Sequence, residues 1–335
     1  MLRNLIGFLC GAAMLAPGPS LAEVTEVRIP LGAGGLGFLP YLVMEKHALI
    51  EQAAREAGIA DLKVRWINFG GPSVVNDMLL SDNADLAVAG PPAFLTLWDK
   101  TTGNIKVKGI AAMSALPMYL NTRSPTLKSL KDLGPNDKIA ITAVKVSIPA
   151  IIMQMAAIKE FGPADYTRYD KYTVSLTHPD AVIALLSGRT EITAHFASPP
   201  FHNYERKTPD VRTVMTSNEV MGGPSTFTMV YTTTKFHDNN PKVYGAILKA
   251  LEKAIALINT DKQAAADIFL ATSEGKIWKR DEVVALLGEP DIRYTTSPEN
   301  VMKYANFMAD VGSIKTRPKA WQEMFFPEIH GVTGN

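Results

Sequence analysis

The chain has 335 residues, with 34 lysines and arginines against 33 aspartates and glutamates, and its only cysteine is Cys10. This length is sufficient for two domains of ordinary size. The balanced charge argues against a nucleic-acid or anionic-membrane partner, because such proteins carry a basic excess. A chain without cysteine beyond Cys10 has no disulfide, no thiolate metal site and no cysteine nucleophile in its remainder.

The N-terminus has the features of a secretory signal peptide. Arg3 provides a positive charge, and residues 5–15 form an apolar run that is too short for a membrane anchor. Ser20-Leu21-Ala22 then offers small residues for cleavage. We predict removal of residues 1–22 and a periplasmic protein. Cys10 lies inside the apolar run after Leu9, so we expect no lipid anchor there.

Predicted strands and helices alternate through the first third of the chain, which is typical of an α/β fold with a largely parallel sheet. Each strand runs into a glycine- or proline-rich loop and then a helix. The predicted strands are 24–31, 62–69, 86–89, 105–112 and 118–121, and helices are predicted after Pro40, over 74–80 and from Pro91-Pro92 through Trp98.

The middle and the C-terminal part repeat this pattern. Strands are predicted over 138–142 and 226–233, with Ser147 as N-cap of the helix that follows the first of them. A long helix begins at Asn240-Pro241, and its apolar residues recur every three or four positions as a buried stripe. The pair Thr296-Ser297 before Pro298 predicts the start of another helix. The Phe325-Phe326-Pro327 stretch is expected to dock on a core.

Two segments resemble each other at a constant offset of 106 residues. Residues 79–89 and 185–195 each contain the end of a helix, a tight turn, an acid and a short strand, and each leads to a Pro-Pro pair. The similarity indicates two related α/β lobes. Such lobes form a crevice at the carboxyl ends of their strands, where helix N-termini favour an anionic or strongly polar solute.

Several motifs that suggest other functions lack the necessary context. The run 32–37 fits the dinucleotide pattern G-x-G-x-x-G, but the second strand ends without an acid for a ribose hydroxyl. The six histidines show no zinc spacing, and Ser225 lacks the G-x-S-x-G frame. We therefore predict no cofactor, no metal and no catalytic residue.

The signal peptide, the glycine-rich first loop, the segment from Gly71-Pro72-Ser73 to Gly90-Pro91-Pro92 and the strand leading to Ser147 together resemble the nitrate/sulfonate/taurine class of ABC-transporter substrate-binding proteins. Residues 184–188, Ser198-Pro199-Pro200 and residues 321–327 fit the same class. The resemblance implies a type II periplasmic-binding-protein fold, with two α/β lobes joined by a two-segment hinge. It places lobe I at 23–115 plus 224–335 and lobe II at 116–223.

The same resemblance implies that the protein is a monomer and not an enzyme, and that it delivers a small organic anion, a sulfonate or carboxylate, to a permease and its ATPase in the inner membrane. A neutral pyrimidine-type solute and an enzyme on the same fold remain alternatives. Lys145 is the expected cation of an otherwise apolar cleft. The expected ligand-binding residues are Gly35, Leu36, Gly37, Phe38, Gly71, Pro72, Ser73, Gly90, Pro91, Pro92, Lys145, Ser147, Phe196 and Ser198.

Overall fold

A computed structural model of the protein describes residues 23–32, 34–68 and 72–335. The predicted signal peptide, Gly71 and the side chains of Pro72 and Ser73 lie outside this description. None of the helices that the structure describes is both long enough and apolar enough to cross a membrane.

The first lobe is built on strands that form one layer. These strands are β1 (Glu26–Pro30), β2 (Lys63–Ile67), β3 (Ala87–Ala89), β4 (Val107–Ala115) and β10 (Thr226–Thr233). β1 pairs with β2 in parallel, and β10 lies between β3 and β4, antiparallel to both. The Asp85 N–H donates to the Arg28 carbonyl at 2.9 Å, which places β1 beside β3. The strands thus form two sheets, β1-β2 and β3-β10-β4, which this hydrogen bond joins edge to edge.

The second lobe contains a five-stranded sheet. Its strands are β5 (Tyr119–Thr122), β6 (Ile139–Ile141), β7 (Thr173–Ser175), β8 (Ala194–Ala197) and β9 (Arg212–Thr216). The order is β7-β6-β8-β5-β9, with β6 parallel to both neighbours and β5 antiparallel to both of its own. In the three-stranded sheet of the first lobe β10 is antiparallel to both neighbours, as β5 is in the second lobe.

Helices cover both sheets. They are α1 (Leu39–Lys46), α2 (Leu49–Glu56), α3 (Pro72–Leu80), α4 (Pro91–Thr101), α5 (Ile148–Phe161), α6 (His178–Ser187), α7 (Phe201–Glu205), α8 (Ser217–Met221), α9 (Thr234–Asn239), α10 (Pro241–Thr260), α11 (Lys262–Leu270), α12 (Arg280–Leu287) and α13 (Val301–Asp310). The predicted stripe of α10 is buried along its whole length, and Phe325 and Phe326 are buried too. Both predictions are confirmed.

The chain passes between the sheets twice. It leaves the first sheet after β4 and enters the second at β5, and it returns between β9 and β10 through α8. The boundaries predicted from the sequence, at 115/116 and 223/224, fall within these two connections. We propose them as the division between the lobes.

Two local predictions are corrected. No helix begins after Thr296-Ser297, because the Thr296 carbonyl accepts the Ala112 N–H at 3.1 Å and holds this segment against β4. α13 begins at Val301 instead. Ser147 does occupy the N-cap position of α5, but its hydroxyl donates to the Ala143 carbonyl at 2.5 Å and accepts no helix N–H.

Candidate functional site

The cleft between the two sheets is narrow because the lobes touch across it. The Leu36 N–H, in the first lobe, donates to the Pro199 carbonyl of the second at 3.2 Å. Gly90 faces the start of α5 so closely that a Cβ added there would lie 2.7 Å from Ile148 Cδ1. The structure therefore shows the cleft in a closed form.

Two adjoining cavities fill the cleft. The inner cavity has about 540 Å³ of empty volume, part of it open to solvent. Its wall is mainly apolar, and it takes residues from both lobes: Phe38, Val88, Ala89, Gly90, Ala93, Phe227 and Thr228 from the first, and Met118, Thr142, Val146, Ser147, Ile148, Pro149 and His178 from the second. This composition suits a small organic molecule held by a few polar groups.

The outer cavity has about 1120 Å³ of empty volume and also opens to solvent. It shares Phe38, Thr142 and His178 with the inner cavity. Its further lining includes Gly34, Gly35, Asn68, Thr177, Thr272 and Glu274. The two cavities are therefore compartments of one cleft, and the three shared residues stand between them.

The structure brings only some of the predicted site residues to this cleft. Phe38, Gly90 and Ser147 line the inner cavity, and Gly35 with Phe38 lines the outer one. The other predicted residues that are described line neither cavity: Leu36, Gly37, Pro91, Pro92, Lys145, Phe196 and Ser198. Of these, all but Lys145 are buried.

Lys145 is exposed and has a left-handed backbone, with φ at 69°. Burial raises the pKa of Asp170, and the charge of Lys145 is one of the influences that lower it again. The ammonium group thus acts on Asp170 and does not form part of the described cavity walls. Among the described residues that line the two cavities there is no lysine or arginine.

Prolines limit what the helix N-termini can donate to a solute. Pro91 and Pro92 occupy the first two positions of α4, and Pro149 and Pro179 occupy the second positions of α5 and α6. Proline has no N–H, so α4 retains only the Ala93 N–H among its first three positions. Recognition of a solute therefore depends more on side chains, and less on the N–H groups of helix N-termini, than the sequence analysis predicted.

Glu274 is the one carboxylate among the described cavity-lining residues. Its Oε2 accepts the Gly35 N–H at 2.7 Å, so it anchors the glycine-rich first loop. Burial raises the pKa of Glu274, and the hydrogen bond from Gly35 opposes the shift. A partly desolvated carboxylate at this place favours solute groups that donate hydrogen bonds.

A buried polar chain reaches the cleft from the second lobe. Glu205 Oε1 lies 2.5 Å from His195 Nδ1, His195 Nε2 lies 2.8 Å from His178 Nδ1, and His178 Nε2 lies 3.3 Å from Ser198 Oγ. Glu205 and His195 are fully buried, and His178 is 4% exposed. Burial, with repulsion from His195, holds the pKa of His178 well below its ordinary value, so its ring is neutral.

Sequence reasoning missed Glu274 and this chain. His178 and His195 are 17 positions apart and Glu205 follows 10 later, so no helical or strand period connects them. The fold of the second lobe brings the two histidines together, because His178 begins α6 and His195 lies on β8. No group of three or more metal-binding side chains occurs in the described part of the chain.

The comparisons with known proteins identify the fold. No protein-family model matches the chain, and no curated protein matches its sequence. Solved structures do match. The alkanesulfonate-binding protein SsuA of Xanthomonas axonopodis pv. citri, bound to MOPS, has a TM-score of 0.68 at 14% identity, over 88% of this chain and 96% of its own.

Two further structures agree. The periplasmic aliphatic sulphonate-binding protein SsuA of Escherichia coli has a TM-score of 0.64 at 15% identity, over 90% of this chain and 99% of its own. The periplasmic nitrate-binding protein NrtA of Synechocystis PCC 6803 has a TM-score of 0.66 at 13% identity, over 90% of this chain and 84% of its own. The chain has the periplasmic-binding-protein fold, as the sequence predicted.

Proposed function

We propose that the chain is an exported solute-binding protein of an ABC importer and captures a small organic solute between its two lobes. The observation that carries the proposal is the closed cleft, whose inner cavity takes its walls from both lobes. A solute held by both lobes stabilises the closed form over the open one, which is how such proteins signal that they are loaded.

The solute class that we propose is a small organic anion, a sulfonate or carboxylate. Phe38, Ile148 and Phe227 would contact its organic body, and Thr142, which lines the same space, would donate to its oxygens. The named ligands of the structural relatives, alkanesulfonate, aliphatic sulphonate and nitrate, support this class.

A neutral pyrimidine-type solute is the second candidate. It is favoured by the absence of lysine and arginine from the described cavity walls and by the presence of Glu274 there. A ring with both N–H and carbonyl groups could satisfy Glu274 and a donor on the opposite wall.

The remaining parts of the proposal follow from the mode of action. The protein would act as a monomer in the periplasm and deliver its solute to a permease and its ATPase in the inner membrane. It would bind its solute without converting it, so a retained compound should be recovered unchanged after prolonged incubation.

A thermal-shift screen of the mature protein tests these proposals. The compounds are small sulfonates, carboxylates and pyrimidines, with each anion paired to its neutral amide. A true solute at one hundred times its dissociation constant should stabilise the fold by about 2.7 kcal/mol, on the order of 4 °C. If no compound raises the melting temperature, or if a hit is chemically converted, the proposed function is refuted.

Lys145→Ala tests whether Lys145 contributes to anion binding, and the acid–amide pairs of the screen separate the two solute classes. If Lys145 binds an anion in solution, the variant should weaken that anion about tenfold. If the exposed position in the structure is also its position in the complex, the variant should bind like the parent. The anion proposal is supported only if the protein binds an acid and does not bind the neutral amide of the same compound.

A further inference from the structure

The loop between β6 and α5 contains a strained turn at Lys145. The backbone there is left-handed, with φ at 69°, and the Val146 N–H donates to the Val144 carbonyl at 2.9 Å. A hydrogen bond between residues two positions apart closes a γ-turn, and the form with a positive φ at its centre is rare and strained. Because residues with a Cβ avoid this conformation, the surrounding structure must hold the turn in place.

Both ends of the loop are anchored within the second lobe. The Val144 N–H donates to Ser175 Oγ of β7 at 3.1 Å. The Ser147 hydroxyl donates to the Ala143 carbonyl at 2.5 Å. These two hydrogen bonds fix the path of the chain as it leaves β6 and as it enters α5. The turn at Lys145 is the reversal that connects the two fixed parts.

The turn decides which side chain of the loop faces the cleft. Val144 and Lys145 are exposed, whereas Val146 is half-buried and lines the inner cavity. With a negative φ at Lys145 the same three residues would form the mirror-image turn, and the chain would leave Lys145 in a different direction. The place of Val146 in the cavity wall therefore depends on the left-handed backbone of Lys145.

We infer that Lys145 is a positioning residue of the cleft: its left-handed backbone holds Val146 in the wall of the inner cavity, where Val146 contacts the organic part of the solute. The ammonium group has no part in this role. The inference rests on the proposed function and extends it, because it assigns part of the apolar wall to a strained turn. It also gives a role in binding to a residue that itself lines neither cavity.

Contact between Val146 and a solute is measured by NMR of the valine methyl groups in the mature protein. Methanesulfonate, benzoate and benzamide are the probes, added at millimolar concentrations, and Val146→Ala assigns the signals. We expect the Val146 methyl signals to shift while those of Val243, which is buried in α10, stay constant. If no probe shifts the Val146 signals, the inference is overturned, and the thermal-shift screen decides separately whether the protein binds a solute.

A series of uncharged substitutions separates the backbone of Lys145 from its charge. Glycine adopts a positive φ without strain, alanine avoids it about as lysine does, and β-branched valine avoids it most. For the probe that shifts Val146, Lys145→Gly should bind at least as tightly as the parent. Lys145→Val should bind roughly three- to tenfold more weakly, because a variant that leaves the turn must restore it in the complex. Equal affinities of the glycine and valine variants, whether unchanged or weakened, overturn the inference.

Lys106→Val is the matched control for a general loss of stability. Lys106 is also an exposed lysine with a left-handed backbone, at a φ of 53°, but it belongs to the first lobe and lines neither cavity of the cleft. Valine should lower the melting temperature at both positions, and only Lys145→Val should weaken binding and reduce the Val146 response. An equal loss of affinity in Lys106→Val would overturn the positioning role and leave the solute-binding function intact.

Discussion

Gly90 offers a way to oppose closure of the cleft with a single methyl group. Its φ of −74° and ψ of 163° are ordinary for alanine, so Gly90→Ala introduces no backbone strain. The added Cβ would lie 2.7 Å from Ile148 Cδ1, and Ile148 belongs to the opposite lobe. The closest conflict is therefore across the cleft, and a weaker one lies within the first lobe, where the same Cβ would be 3.1 Å from the Phe227 carbonyl oxygen.

The expected magnitude follows from the nature of that contact. Extra methyl groups in a packed site cost about 1–3 kcal/mol. Because the nearest atom is the end of a flexible side chain, we expect the lower part of this range, about 1–2 kcal/mol. Solute binding should then weaken roughly five- to thirtyfold, since each 1.4 kcal/mol is about a factor of ten. Gly90→Ala should also give a larger radius of gyration at subsaturating solute.

Isothermal titration calorimetry with a compound from the screen, and small-angle X-ray scattering, measure the two effects. Gly103→Ala is the matched control, because a Cβ there would meet no atom within 4 Å. The unliganded melting temperature should stay close to that of the parent for Gly103→Ala and should fall slightly for Gly90→Ala, because its Cβ also crowds the Phe227 carbonyl of the same lobe. Equal affinity and equal radius for Gly90→Ala and Gly103→Ala would refute the claim that binding requires this closed contact.

Three further predictions concern a contact between the lobes, the acid of the outer cavity and the N-terminus. Lys207 Nζ, in the second lobe, lies 2.7 Å from Glu282 Oε1 and 4.4 Å from the Trp278 ring centre, both in the first lobe. Because this contact joins the two lobes in the closed form, Lys207→Ala should weaken solute binding about two- to fivefold by calorimetry, with a smaller effect in high salt; an unchanged affinity would contradict it. The pKa of Glu274 is higher in the folded protein than in the unfolded chain, so ionisation of this carboxyl group destabilises the fold as the pH rises above the unfolded-state pKa. Glu274→Gln should therefore raise the midpoint of urea unfolding at pH 7 and leave it unchanged at pH 4. An equal change at both pH values would contradict this prediction. N-terminal sequencing of the native protein should begin at Glu23, and a sequence starting at Met1 would contradict the predicted export.

Much of the fold could be predicted from the sequence because periodicity and turn chemistry act locally. The strand predicted over 226–233 agrees with β10 to the residue, and the other predicted strands differ by at most three positions at their ends. The repeat offset of 106 also relates α3 to α6 and β3 to β8 in the structure. The helix predicted after Thr296-Ser297 failed because a tertiary hydrogen bond to Ala112 overrides the local capping signal.

The site was less predictable, because the polar groups of the cleft come from distant positions. The loops at the strand ends led to Phe38, Gly90 and Ser147, which do line the inner cavity. Glu274 follows α11, more than 230 residues after the loop that it contacts, and no local pattern distinguishes it from a surface acid. Only the folded arrangement shows that it faces His178 across one cavity.

The position of β10 has a consequence for how the chain acquires its structure. β3 and β4 do not pair with each other. Both pair with β10, which follows all strands of the second sheet in sequence. The second sheet is formed by the continuous stretch 119–216 and can therefore assemble first. The first sheet stays open along its middle until residues 226–233 arrive. During synthesis from the N-terminus, the second sheet would thus be completed before the first, and stable folding of the first lobe is delayed until about 70% of the sequence is available.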